Sequence, residues 1–322
     1  MSVINKEHLR EQLPQEAVPY FDDITQARVL GASRHIRMIA EMVRIVAQKA
    51  ENAKTGKQTI EELCHYFKET RGKSSYAIVN ALNDLQYRIQ KETAGKDEDL
   101  AKMVGKSVDD FIKANEMDLQ KAVGHARALS KDWRKVLIFD YSSTVDQLVK
   151  QMDPAVAIVI AESRTINGGL PFVKSSVLHD KVRFIADASI MQEMRDCDAV
   201  IIGAETFYPD GTAFNTVGSD LAALAAAYYH IPYYVLTPLQ KADIRALYGN
   251  GKQVRPKDLR QKLSEGMQPQ EAEHIDFTAI ECVKIRPEFI TAYITEWGIV
   301  IPQELLSVLL KCKPLYFEGG ES

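Results

Sequence analysis

The stretch VLIFDYSST, residues 136–144, is an apolar run that ends in a short polar turn. The same arrangement recurs in AIVIAESR at 157–164, VRFIADAS at 182–189 and AVIIGAETFYPDGTAFNTVGS at 199–219. Runs of this kind are typical of buried parallel strands with functional loops at their carboxyl ends. In open α/β sheets ligands bind at that edge, near the point where the strand order reverses. The sequence therefore predicts the position of a ligand site before it indicates any chemistry.

From Lys135 onward, apolar strands alternate with helical segments at the spacing of a doubly wound sheet. The predicted strands are 136–140, 156–161, 182–186, 199–203 and 232–236. A later run, FITAYITEWGIVIP, predicts a last strand followed by Pro302 and a C-terminal helix.

The first 130 residues have the pattern of amphipathic helices. In SRHIRMIAEMVRIVAQKAENA, apolar side chains recur at helical spacing, at Ile36, Ile39, Met42 or Val43, and Val46. The segment TIEELCHYFKETR predicts a helix with Thr59 as N-cap and Glu62 completing a capping box. Residues 91–99 are polar and predict a loop. The fold class is therefore α/β, with a helical N-terminal domain at 1–130 and a Rossmann-like, mostly parallel sheet domain at 131–322.

Composition indicates a soluble globular protein of 322 residues, with 46% hydrophobic and 26% charged residues. A net charge of −4 argues against direct nucleic-acid binding, and no apolar run approaches the roughly 20 residues that span a bilayer. The charged start lacks the pattern of a secretory signal, so we expect a cytoplasmic protein. The four cysteines form no CxxC pair and the histidines are isolated, so we expect no metal.

The first strand is followed by Asp140, Tyr141, Ser142, Ser143 and Thr144, which lead into a helical segment. Hydroxyl groups and free backbone N–H groups at a helix N-terminus form an anion site suited to phosphate. A Ser or Thr that only caps the helix fits the same pattern. Both interpretations stay open at this point.

Three further loops carry charged side chains. Arg164, after the second strand, suits bidentate recognition of phosphate or carboxylate, although a surface arginine paired with a neighbouring acid fits equally. Asp187, after the third strand, has the pattern of a helix cap. Glu205 follows the fourth strand, where a carboxylate can act as a general acid or base or hydrogen-bond ligand hydroxyls. The absence of a P-loop and of a dinucleotide GxGxxG motif argues against ATP hydrolysis and NAD chemistry, so we expect no cofactor.

The order of these motifs resembles one family. It unites the alpha, beta and delta regulatory subunits of translation initiation factor 2B with isomerases of methylthioribose 1-phosphate and ribose 1,5-bisphosphate. The segments that carry the resemblance are LGASRHIR at 30–37, TRGKSSYAIVNAL at 70–82, YSST at 141–144, ESR at 162–164, ADAS at 186–189, GAETFYPDGTAFNTVGS at 203–219 and ITEWGIVIP at 294–302. The resemblance implies a homodimer or larger assembly through the C-terminal domain, with related subunits as further candidate partners.

The chain also departs from the isomerases of that family. Tyr141 stands where they carry a cysteine, Glu205 where they have an aspartate, Thr216 where they have a lysine, and Leu30 where they have an arginine. By the same resemblance, the residues expected to hold a phosphate or sugar hydroxyls are Gly31, Ser33, Arg71, Ser142, Ser143, Arg164, Asn215 and Lys241.

Two hypotheses follow, and both take a phosphorylated small molecule as the partner. The first is a regulatory protein similar to the initiation factor 2B subunits that binds a sugar phosphate or a nucleotide without the isomerase acid–base pair. The second is a divergent aldose–ketose isomerase of a phosphorylated pentose, with Glu205 as base and Tyr141 or Asp140 as acid. Tyrosine has an unperturbed pKa of about 10, roughly 1.5 units above that of cysteine, which favours the first hypothesis.

Overall fold

The computed structural model describes residues 5–29, 31–96 and 99–317. The chain divides into two compact units. The first runs to Met117 and includes the segment from Pro314, and the second is Asp118–Lys313. The division falls within one helix, Leu100–Leu129. The domain boundary predicted after residue 130 lies just past the end of that helix, and it stays a prediction. Leu30 lies outside the described residues, as do 97 and 98 of the predicted loop.

The helices of the described residues are numbered in chain order. They are α1 Lys6–Gln12, α2 Val18–Thr25, α3 Ala32–Lys49, α4 Ala53–Glu69, α5 Arg71–Ser74, α6 Tyr76–Thr93, α7 Leu100–Leu129, α8 Ser143–Val149, α9 Leu170–Ser175, α10 Ile190–Met194, α11 Ser219–Tyr229, α12 Arg260–Leu263, α13 Pro269–Ala272 and α14 Leu305–Cys312. Helix α6 continues through Thr93, so residues 91–93 of the predicted loop are helical. Among the described residues, no helix has the length and apolar character that crossing a bilayer requires.

The first unit is a bundle whose core comes from the amphipathic faces predicted from sequence. Ile36, Ile39 and Val43 of α3 are buried and pack with apolar side chains of α4 and α6. The predicted start of α4 was wrong. The helix begins at Ala53, six residues before Thr59, because the Asn52 side chain accepts a hydrogen bond from the backbone N–H of Thr55. Thr59 lies inside the helix, where its hydroxyl donates to the carbonyl of Thr55.

Replacing Asn52 with alanine removes this cap, and we expect the free energy of unfolding to fall by about 1 kcal/mol. Thr59→Ala serves as the matched control, since its hydroxyl bonds a carbonyl within the helix and alanine is the better helix former. Urea denaturation followed by circular dichroism measures both variants. Equal losses in the two variants would contradict the observed start of α4.

The strands are also numbered in chain order. They are β1 Lys135–Phe139, β2 Ala157–Ala161, β3 Val182–Ile185, β4 Ala199–Ile202, β5 Thr206–Phe207, β6 Ala213–Thr216, β7 Tyr233–Leu236, β8 Lys257–Asp258, β9 Thr278–Ala279, β10 Cys282–Ile285, β11 Ala292–Thr295 and β12 Gly298–Val300. The five predicted parallel strands are confirmed, and they agree with β1, β2, β3, β4 and β7 to within one residue at each end.

The main sheet has the order β12-β11-β7-β4-β1-β2-β3, and every pair in it except β11–β12 is parallel. The predicted fold class, a helical region followed by a mostly parallel sheet, is confirmed. On one side of the sheet the strand order continues from β1 through β2 to β3, and on the other side it continues from β4 through β7 to β11. The order therefore reverses between β1 and β4, and this is the switch point of the sheet. A second sheet, β10-β6-β5, is antiparallel.

The prediction of one last strand at 289–302 was wrong. The run forms two antiparallel strands, with Thr295 opposite Gly298 across a two-residue turn. Gly298 has φ = +117°, a conformation that L side chains rarely adopt and glycine adopts readily. The reversal at Glu296 and Trp297 ends the parallel part of the sheet with an antiparallel edge strand.

Candidate functional site

The switch point brings two polar loops side by side. Phe139, the last residue of β1, pairs with Ile202, the last residue of β4. Asp140 therefore leaves the sheet next to Gly203, two residues before Glu205. This is the edge at which ligands bind in doubly wound sheets.

Asp140 is a buried carboxyl group, 6% exposed, on a residue with φ = +61°. Its Oδ2 accepts a hydrogen bond of 2.8 Å from the hydroxyl of Thr216, and its Oδ1 accepts one of 3.3 Å from the hydroxyl of Ser163. Burial raises the pKa of Asp140 because it disfavours the charged form, and the charge of Glu205 acts in the same direction to a smaller extent. Asp140 therefore keeps its proton to higher pH than an exposed aspartate.

Glycines at two neighbouring loops allow this close packing. A Cβ atom at Gly168 would overlap Oδ1 of Asp140, and a Cβ atom at Gly203 would overlap the side chain of Ser142. The loops after β1, β2 and β4 therefore approach one another only because both residues lack a side chain.

Glu205 is the exposed acid of the site, with 47% of its side chain accessible. Lys252 Nζ lies 2.7 Å from Glu205 Oε1. The ammonium of Lys241 donates to the carbonyl of Ala204 at 2.7 Å. Burial lowers the pKa of Lys241, while the charges of Glu205 and Asp140 act in the opposite direction. Two carboxyl groups and two amines thus lie at this edge.

Sequence reasoning missed two residues near this edge: Lys252, which pairs with Glu205, and Cys282, which lies opposite Thr216 across the β6–β10 pair. Lys252 belongs to a loop that Tyr208 holds in place, since its backbone N–H donates to the Tyr208 hydroxyl at 2.5 Å. Only 11% of the Lys252 side chain is accessible, although its partner Glu205 is half exposed. Neither residue lies in a recognisable motif, so no local signal in the sequence points to them.

The hydroxyl-rich turn after β1 takes the capping role. Ser142 is the N-cap of α8, and its Oγ accepts a hydrogen bond from the N–H of Val145 at 3.5 Å. Ser143 is exposed in the first turn of that helix. Asn215 is buried, and its Nδ2 donates to the hydroxyl of Ser219 at 3.0 Å. Ser142 and Asn215 therefore contribute to local structure, and their predicted phosphate contacts stay a prediction.

The Arg164 guanidinium pairs with acids. Its Nη2 lies 2.8 Å from Glu265, and its Nη1 lies 4.0 Å from Glu162. Asp187 accepts backbone hydrogen bonds of 2.9 Å from Ser163 and Arg164, so it holds the loop after β2. The structure thus places the Arg164 side chain against Glu265, in the surface pairing that the sequence left open.

Tyr141 faces a different part of the surface from Glu205. Its ring packs against Phe172 with 5.3 Å between centroids, and it lines an open cavity of about 480 Å³ with Lys150 and Lys174. Burial raises the pKa of Tyr141, and the charge of Asp146 acts in the same direction. Of the two predicted acids, Asp140 is the one whose pKa the charge of Glu205 raises.

Three of the predicted binding residues belong to the first unit. Gly31 precedes α3 with φ = +98°, and Ser33 is exposed in the first turn of that helix. Arg71 is half-buried, and its guanidinium donates to the carbonyl of Ile24. Their predicted part in a ligand site stays a prediction.

Replacing Asp140 with asparagine should stabilise the protein at neutral pH. Because the pKa of Asp140 is raised in the folded state, the folded protein binds this proton more tightly than the unfolded chain, and its stability falls as pH rises past about 4. Asparagine carries no such charge and tolerates a positive φ. We expect a gain of about 1 kcal/mol at pH 8 that disappears near pH 3.

Urea denaturation at the two pH values measures this gain, with Asp196→Asn as the control at an exposed aspartate of the same unit. A gain for Asp140→Asn that is equal at pH 3 and pH 8 would contradict the buried-charge explanation.

The fold and this edge define an α/β protein with a cluster of polar side chains at the switch point of a parallel sheet. The chain belongs to the Initiation factor 2 subunit family, whose sequence pattern matches residues 28–302. It is similar to ribose 1,5-bisphosphate isomerase of Archaeoglobus fulgidus, with 24% identity over 255 residues, 78% of this chain and 80% of that protein. It is also similar to translation initiation factor eIF2B subunit delta of Dictyostelium discoideum, with 22% identity over 249 residues, 73% of this chain and 40% of that protein.

A solved structure, 5-methylthioribose 1-phosphate isomerase from Pyrococcus horikoshii, superposes with a TM-score of 0.72 at 19% identity, covering 94% of this chain and 92% of that one. The tetrameric eIF2B-beta2-delta2 complex from C. thermophilum gives a TM-score of 0.66 at 17% identity, covering 95% of this chain and 97% of that one. At these identities the structural likeness establishes the fold.

Proposed function

We propose that this protein binds a phosphorylated pentose at the switch point and isomerises it from aldose to ketose. The observation that carries the proposal is the pair of unlike carboxyl groups, a buried Asp140 with a raised pKa and an exposed Glu205. Two carboxyl groups whose environments differ in this way suit opposite roles in proton transfer. The isomerase from A. fulgidus, matched over 80% of its length, supports the same reaction class.

In this mechanism Glu205 is the base that accepts a proton from the substrate, and Asp140 is the acid that donates one to a substrate oxygen. Thr216 and Ser163 hold the Asp140 carboxyl, so its orientation does not depend on the substrate. The substrate phosphate competes with Glu205 for the ammonium of Lys252, which leaves the carboxylate free to act as base.

The wild-type protein tests the proposal directly. Incubation with ribose 1,5-bisphosphate or methylthioribose 1-phosphate, followed by ³¹P NMR, should show conversion to the ketose. If the folded protein converts neither compound, the proposal is wrong.

A matched pair of variants then tests which residue is the acid. Asp140→Asn should lower turnover by about 100-fold, the usual scale for loss of a general acid. Tyr141→Phe should keep turnover within about twofold, because its ring lies against Phe172 rather than beside Glu205. The reverse ranking would identify Tyr141 as the acid and contradict the role of Asp140.

A second candidate function is the regulatory one, in which the protein binds a sugar phosphate or nucleotide without turnover and acts in an assembly. The ion pair between Lys252 and Glu205 favours it, since it engages the base. The exposed apolar side chains of α11, Leu221, Leu224 and Tyr228, suit contact with a second copy or a related subunit. Thermal stabilisation by phosphorylated ligands without conversion, together with a dimer in sedimentation, would favour this function over the isomerase.

A further inference from the structure

The backbone around Glu205 is held by hydrogen bonds in which its own side chain takes no part. Lys241 Nζ donates to the carbonyl of Ala204, the residue before Glu205, at 2.7 Å. The hydroxyl of Thr206, the residue after Glu205, donates to the carbonyl of Lys241 at 2.8 Å. The N–H of Glu205 donates to the carbonyl of Phe214, also at 2.8 Å. Lys241 therefore bonds both chain neighbours of Glu205.

Lys241 is itself anchored in the loop that follows β7. It ends a short 3₁₀ helix, Leu239–Lys241, and its N–H donates to the carbonyl of Pro238 at 3.2 Å. Two residues further on, the N–H of Asp243 donates to the carbonyl of Phe207 at 2.8 Å, which keeps this loop beside β5. A side chain supported in this way can fix the position of the neighbouring loop that it bonds.

The Lys241 amine is buried close to both carboxyl groups of the site. Burial lowers the pKa of Lys241 because it disfavours the charged form, and the charges of Glu205 and Asp140 oppose this change. Groups perturbed by burial together with specific charges cluster at functional sites. The bond to Ala204 does not depend on the charge of the amine, since a neutral amine also carries N–H groups.

We propose that Lys241 is a positioning residue for Glu205, since it holds the backbone on both sides of Glu205 and so fixes where the carboxylate lies at the switch point. The Glu205 side chain is half exposed, so its place depends on the backbone that carries it. Displacement of a reacting group by about 1 Å can lower a rate by roughly 100-fold. This role differs from the phosphate contact that the family resemblance implies for Lys241.

Amide hydrogen exchange tests the contact without any substrate. Lys241→Met keeps a long side chain but removes the donor, so the N–H of Glu205 should exchange at least about tenfold faster as the loop opens more often. Thr206→Val removes the second link and leaves the amine in place, and it should act in the same direction. Mass spectrometry with fragmentation to single residues measures both variants.

Lys150→Met is the matched control, since it removes an exposed lysine of the same unit whose ion pair lies outside this loop. Exchange at Glu205 should be unchanged in it. The N–H of Ile158 in β2 reports general loss of stability, so the expected rise is one that it does not share. Unchanged exchange at Glu205 in Lys241→Met or Thr206→Val, or an equal rise in the control, would overturn the assigned role.

The effect on turnover rests on the proposed function. Lys241→Met should lower kcat about tenfold with KM within twofold, and Thr206→Val should lower kcat in the same direction. A raised KM at unchanged kcat in Lys241→Met would identify a phosphate contact and overturn the positioning role, as would wild-type kcat in both variants. If the wild type converts neither sugar phosphate, the proposed reaction fails, while the exchange rates still decide whether Lys241 holds the Glu205 backbone. Thr206→Val keeps both tests available if Lys241→Met does not fold.

Discussion

Glu205→Gln should lower turnover of ribose 1,5-bisphosphate by about 1,000-fold, the largest effect we expect on activity. Glutamine keeps the length and shape of the side chain but cannot accept a proton. Lys252 can still donate to its carbonyl oxygen, so the loop that carries Lys252 should stay in place. The defect should therefore appear in kcat, with KM near the wild-type value.

The control for this prediction is Glu265→Gln, which changes an exposed acid paired with Arg164 rather than with Lys252. Its kcat should be close to wild type, since surface ion pairs contribute little. Both variants are compared by ³¹P NMR under saturating substrate, with ligand binding measured by calorimetry. Wild-type kcat in Glu205→Gln would exclude this residue as the base even if the protein proved to be an isomerase.

Local patterning was sufficient to predict the strands of the parallel sheet. The strands β1, β2, β4 and β7 are continuous apolar runs because both faces of the sheet are covered there. The edge strand β3 contains Arg183 and is exposed at three of its four residues. The same rule located Asp140 and Glu205, since both follow directly from strand ends at the switch point. Patterning failed at the turn between β11 and β12, where Glu296 and Trp297 are not among the residues that usually signal a hairpin.

Long-range contacts determine the rest of the site, and sequence carries no local trace of them. The Arg164 side chain pairs with Glu265, which lies 101 residues further along the chain. Its orientation could therefore not be predicted from its own loop. Cys282 lies opposite Thr216 only through the register of β10 on β6. Register depends on the pairing of whole strands and not on one residue.

Gly168→Ala should lower both stability and turnover. The new methyl group would overlap Oδ1 of Asp140. Because the Asp140 carboxyl is buried and accepts hydrogen bonds from two hydroxyl groups, its displacement would break these contacts. The loop cannot move easily either, because Gly168 N–H bonds the carbonyl of Ser163 at 3.2 Å. We expect a loss of about 2 kcal/mol in the free energy of unfolding. Turnover should fall about 100-fold, because displacement of an acid by about 1 Å has effects of that size.

Gly124→Ala is the control, since this glycine lies in α7 with no atom within 4 Å of the new Cβ atom, and alanine there should add about 1 kcal/mol. The double variant Gly168→Ala with Asp140→Ala separates the overlap from a general effect on the loop. If the overlap with Asp140 is the cause, Gly168→Ala should cost less stability in the Asp140→Ala background than in the wild type. If Gly168→Ala lowers the free energy of unfolding equally in both backgrounds, the strain lies elsewhere in the loop. The overlap with Asp140 would then not explain why residue 168 is a glycine.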